Sequence, residues 1–118
     1  MGFIIEGLNE YQDAAVATAQ YPNLGENILY PMMGLAGESG EAVDKVKKLW
    51  RNRNITSGKE YTFTEKLELA KELGDTMWYI AAALKEIGYT MSECATLNIE
   101  KLLDRQARNV IRSSGDNR

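Results

Sequence analysis

From Met32 to Arg118 the chain contains no proline; its two prolines, Pro22 and Pro31, lie close together near the N-terminus. A proline inside a helix removes a backbone hydrogen bond and clashes with the preceding turn, so this long proline-free stretch lets helices run. The stretch is also rich in Ala, Leu, Lys and Glu, the residues that lose least on entering a helix. No alternating apolar/polar run of strand length, internal repeat or low-complexity tract interrupts it. The expected class is all-α, a four-helix-bundle-like single domain over residues 1–112, with residues 113–118 as a disordered tail.

Local signals set the expected helix boundaries. Asn9 reads as an N-cap with Gln12 completing a capping box, for a helix to about Gln20 that ends at the breakers Pro22 and Gly25. Pro31 suits the first turn of a second helix that reaches about Arg51 and carries an apolar stripe of Met32, Leu35, Ala36, Val43, Val46, Leu49 and Trp50. The polar segment RNRNITSGKEYTF then reads as a connecting loop, long enough for a functional or mobile role. Thr62 or Thr64 opens a third helix that stops at Gly88, Thr62 offering a capping box with Glu65, and Thr90 with Glu93 opens a fourth through NIEKLLDRQARNVI.

Composition narrows the chemistry. The 118 residues carry a net charge of −3, which argues against nucleic acid as the main partner, because phosphate backbones are bound by basic surfaces. There is no histidine, so Ser-His and Cys-His catalysis and imidazole metal ligands are excluded. The single cysteine, Cys94, excludes an internal disulfide and a multi-cysteine zinc site, and suits a reducing cytoplasm. No basic, apolar leader and no run of about 18 apolar residues is present, so neither export nor a membrane span is expected. Catalysis is left to carboxylates, hydroxyls, lysines, arginines or a bound metal.

The carboxylates are patterned. Glu38 and Glu41 share a face of the second helix, and Glu72 and Asp75 repeat that spacing on the third. Like charges at this spacing repel, and Asp75 precedes the nearly apolar run TMWYIAAAL, where an unpaired carboxylate would be costly. A solvated helix face, with Lys45, Lys48 and Lys71 pairing with the acids, would account for one such motif. Two motifs in apolar sequence flanked by Gly37, Gly40 and Gly74 point instead to a site of hard oxygens for Mg²⁺ or Mn²⁺. The glycines would leave room for a ligand or for a close helix contact.

These segments resemble a known family. GLAGESGEAVDKVKK (34–48), ELAKELGDTMWYIAAAL (68–84) and NIEKLLDRQARN (98–109) are similar to the MazG-like nucleotide pyrophosphohydrolases, which share a Glu-x-x-Glu, spacer, Glu-x-x-Asp pattern. The opening YQDAAVATAQYP is similar to the start of small stand-alone members. Two departures stand out: Gly37 precedes Glu38 where many members have a second Glu, and the spacer from Glu41 to Glu72 is long.

The resemblance implies an all-α, oligomeric (dimeric or tetrameric) enzyme that hydrolyses nucleoside triphosphates between the α and β phosphates. Glu38, Glu41, Glu72 and Asp75 would bind Mg²⁺, and Glu38 or Glu41 would orient the attacking water. Asn98 and Lys101 would contact substrate, Lys101 and Arg105 its phosphates; all three fall on one stripe of the fourth helix. Lys48 is placed either for phosphate or for pairing along its own helix. Trp78, one turn beyond Asp75, is the aromatic best placed to stack a base; Trp50 and Tyr79 are others. The closest alternatives are a dUTP diphosphatase or a phosphoribosyl-ATP pyrophosphatase of the same superfamily. A non-catalytic helical interaction module is the alternative of another class.

Overall fold

The computed structural model describes residues 4–111; the expected tail, 113–118, lies outside them. It contains four α-helices: α1 (Leu8–Val16), α2 (Leu29–Arg53), α3 (Phe63–Glu86) and α4 (Met91–Ile111), with a 3₁₀ turn at Gly58–Glu60. No strand occurs among the described residues, as expected.

Two expected caps are present. Thr62 Oγ1 accepts from Glu65 N–H at 3.1 Å while Glu65 Oε1 accepts from Thr62 N–H at 2.9 Å. Thr90 and Glu93 make the same reciprocal pair at 3.0 and 2.9 Å. Between them Gly88 takes φ +86°, and the Gly88 and Tyr89 N–H groups bond back to the Lys85 and Leu84 carbonyls. That geometry ends α3 with a left-handed residue and turns the chain sharply into α4.

The first helix departs from expectation at both ends. Its N-cap is Gly7, and no side chain caps it. The Asn9 and Gln12 amides reach across to α4 instead. The helix also stops at Val16 rather than Gln20. Ala15 O, which Ala19 N–H would claim in a continuing helix, accepts from Thr18 N–H, Thr18 Oγ1–H and the Trp78 indole N–H. Helix α2 begins two residues earlier than expected; Asn27 Oδ1 accepts from Tyr30 N–H, and Pro31 still falls in the first turn, where no N–H is needed.

Helices α2 and α3 run antiparallel: Gly34 lies against Tyr79 at one end, and Arg53 pairs with Glu65 at the other. Helix α1 lies across α3, where the small residues Ala81, Ala82 and Ala83 admit close approach. Ala15 and Met91 pack on Ala81, Ala19 and Tyr21 on Ala82, and Trp78 touches both groups. The 54–62 connection is anchored by buried Ile55 and Tyr61 rather than standing free.

The bundle is open. Helix α4 buries Met91 and half-buries Cys94 and Ala95, but Thr96 to Asn109 are exposed throughout, including Leu97, Ile99, Leu102 and Leu103. The radius of gyration, 18.0 Å, exceeds the roughly 13–14 Å of a compact chain of this length. Val43, Val46, Trp50, Leu73 and Met77 leave a second apolar surface on the α2–α3 hairpin.

Candidate metal centre

The antiparallel α2–α3 pair sets Glu38 of α2 against Glu72 and Asp75 of α3. One carboxylate oxygen from each lies within 4.8 Å of the others. None of the three forms an ion pair with Lys or Arg among the described residues. Glu72 Oε1 is buried and has no hydrogen-bond partner. Partial burial holds the Glu38 carboxyl above the usual carboxylate range, reinforced by the charges of Glu41, Asp75 and Glu72. A cation among the three acids would relieve their mutual repulsion and give the buried Glu72 oxygen a partner. Hard oxygens at this spacing fit a divalent ion such as Mg²⁺.

Glu41 is exposed and stands outside the converging set, though near enough to act on Glu38. Of the lysines that could have paired with the acids, Lys48 is engaged elsewhere: it pairs with Asp44 at 2.9 Å, as does its neighbour Lys47 at 3.2 Å, while Lys45 and Lys71 form no ion pair among the described residues. Lys48 lies ten residues beyond Glu38, roughly 15 Å along α2. It lines a separate cleft of about 200 Å³ with Leu49, Arg53, Tyr61 and Glu65.

Glu38 and Asp75 share an open depression of about 310 Å³ with Trp78 and Tyr79. The Trp78 indole N–H is committed to the end of α1 and the turn after it, donating to Ala15 O at 3.1 Å and Thr18 Oγ1 at 2.9 Å, so only the ring is offered to the depression. Tyr79 meets Trp78 edge-on, with centroids 5.0 Å apart. Burial raises the Tyr79 phenol's pKa, with Tyr30 and Glu38 adding to it. Sequence reasoning favoured Trp78 over Tyr79; the spacing of Tyr79, four residues beyond Asp75, was the signal for it.

Asn98, Lys101 and Arg105 are exposed on α4, and none lines this depression. Within one chain they are not gathered with the acids. Gly37, Gly40 and Gly74 make no close helix contact: a Cβ on any of them would meet nothing within 4 Å. Among the described residues, Gly34 is the glycine held against a neighbour.

A family model for the MazG nucleotide pyrophosphohydrolase domain matches residues 28–110. The chain belongs to that family. The matched MazG region runs from the start of α2 into α4 and contains every acid of the cluster. MazG pyrophosphohydrolases are all-α and generally depend on divalent metal, in keeping with the donor set of Glu38, Glu72 and Asp75. The chain is also 41% identical over 113 residues to the Gene 37 protein of Mycobacterium phage L5, covering 92% of this chain and 96% of that one. No solved structure gives a significant match. No helix among the described residues is long and apolar enough to cross a membrane.

Proposed function

We propose that this MazG-family chain is a Mg²⁺-dependent nucleoside triphosphate pyrophosphohydrolase that converts a (d)NTP to the (d)NMP and pyrophosphate. The observation that carries this reading is the unpartnered, buried Glu72 oxygen within the Glu38–Glu72–Asp75 cluster. Those three side chains hold the ion. When bound, Mg²⁺ (or Mn²⁺) supplies charge neutralisation and polarises the phosphoryl oxygens. Glu41, exposed beside the cluster, and Glu38 orient the attacking water and receive its proton. Water oxygen adds to phosphorus at the α–β anhydride, and the bridging oxygen leaves with the other phosphoryl group.

Trp78 and Tyr79 form the apolar wall beside the acids and take the nucleoside end. The chain works as a homodimer or homotetramer, which covers the apolar surfaces of α2–α3 and α4. Asn98, Lys101 and Arg105 then reach substrate as part of the assembly, and Lys48 is their companion on α2. The cellular role is removal of non-canonical or excess nucleotides in the cytoplasm.

Pyrophosphate release is measured from a panel of (d)NTPs with and without Mg²⁺. Turnover that needs Mg²⁺ and is lost in Glu38→Gln and Asp75→Asn is expected. No release from any nucleotide would overturn the proposal.

A further inference from the structure

Gly34 and Tyr79 occupy the rung next to the acids: Gly34 is four residues before Glu38 on α2, and Tyr79 is four residues after Asp75 on α3. A Cβ built on Gly34 would overlap three atoms of the Tyr79 ring, Cε1, Cζ and Cδ1. The ring therefore lies on bare α2 backbone. Two aromatic rings flank it. Tyr30, one turn before Gly34, stands at a centroid distance of 6.5 Å and Trp78 at 5.0 Å.

Tyr30 is itself held in place. It stacks on Tyr21 at 4.7 Å, and the Tyr21 hydroxyl donates to Glu86. With Tyr30 and Trp78 beside it, the ring has open space toward the depression it shares with Glu38 and Asp75. A Cβ at position 34 would force the ring or the helix to shift, and the depression is the open side available to the ring. A glycine within a helix is unfavourable relative to alanine, and here, unlike at Gly37, Gly40 or Gly74, the structure uses the missing Cβ.

The geometry points to Gly34 as a positioning residue for the nucleoside pocket: it acts through Tyr79, seating the ring so that the space beside the acids stays open. This rests on the pyrophosphohydrolase reading and deepens it, because the seat governs nucleoside binding without touching the metal-binding carboxylates. Two probes separate those roles. The α,β-methylene analogues of the nucleotide panel carry a nucleoside; inorganic tripolyphosphate offers the phosphates alone.

Binding of both probes in Mg²⁺ is measured by calorimetry for wild type, Gly34→Ala, Tyr79→Ala and the double variant. Gly34→Ala is expected to weaken the best-bound analogue roughly tenfold, the scale of one lost base–aromatic contact. Tripolyphosphate affinity should change by less than about twofold, and turnover should lose KM rather than kcat. Added to Tyr79→Ala, the Gly34→Ala change should cost nothing further, since no ring remains to displace.

Unchanged analogue binding by Gly34→Ala overturns the inference, as do equal losses on both probes or a further loss in the double variant. Should Gly34→Ala not fold, the double variant and Tyr79→Ala decide, and they must bind the analogue alike. Failure of the hydrolase reading has a different signature: wild type then releases no pyrophosphate and binds neither probe, and the inference falls with it.

Discussion

The Gln12 side chain accepts a hydrogen bond from Met91 N–H at 3.0 Å, so a residue of α1 caps the first turn of α4. The same amide donates to Ala81 O at 3.2 Å and Tyr89 O at 3.1 Å, and Asn9 Oδ1 accepts from Ser92 N–H at 2.9 Å. Gln12 is 4% exposed, so its amide is committed to these bonds within the protein. Replacing Gln12 with Leu leaves buried polar groups unpaired and should cost roughly 2–3 kcal/mol. Urea unfolding measures it; a variant as stable as wild type would refute this role.

Glu86 predicts a pH dependence. Its carboxylate accepts from the Tyr21 hydroxyl and from the N–H groups of Asn27 and Gly25, both at 2.9 Å. These bonds, that from Tyr21 foremost, hold it below the usual carboxylate range. A carboxyl depressed on folding contributes stability above its unfolded pKa, about 4.3 for Glu, and loses it as pH falls through the folded value. Glu86→Gln should therefore cost about 1 kcal/mol at pH 7, with the gap to wild type closing in more acid solution. Unfolding midpoints of both proteins at pH 7 and pH 3.5 test this; a gap that widens in acid contradicts it.

The acid cluster predicts opposite effects in chelator and in Mg²⁺. In EDTA, Glu72→Gln removes repulsion and should leave the melting midpoint unchanged or higher. In millimolar Mg²⁺ wild type should gain stability, because an ion that binds only the folded state must raise the midpoint. The variant should gain little and lose pyrophosphohydrolase activity. Equal stabilisation of both proteins by Mg²⁺ would remove Glu72 from the ligand set.

Leu103 on α4 is 59% exposed in the single chain, beside Leu102 at 45%. Leu103→Glu should shift the sedimentation mass of the wild-type assembly toward that of one chain while leaving helicity intact. A wild type that sediments as a monomer would refute the homo-oligomer.

Gly37 offers a contrast with Gly34, since a Cβ there meets open space. Gly37→Ala should stabilise the folded chain by about 0.5–1 kcal/mol through helix propensity alone. Loss of stability in urea unfolding would show a close contact at that position.

Features set by neighbours in sequence were legible before any coordinates. The Thr62–Glu65 and Thr90–Glu93 caps and the Gly88 turn have all their partners within a few residues, so residue type and spacing determine them. The acidic pairs were legible for the same reason, since three-residue spacing places two carboxylates on one helix face. Asn9 and Gln12 carry the same local signature, yet their partners lie 83 and 79 residues away. A polar amide near a helix start satisfies whichever orphan N–H the fold brings to it, and only the packing of α1 on α4 decides which.

The cluster divides in the same way. Sequence alone determined which side chains carry the charge and that they fall on two helices. The register of α2 against α3 decided that Glu38, Glu72 and Asp75 converge while Glu41 stays outside, and that Gly34 meets the Tyr79 ring. Register is a sum of many weak contacts between residues far apart in the chain, and no spacing within one helix encodes it.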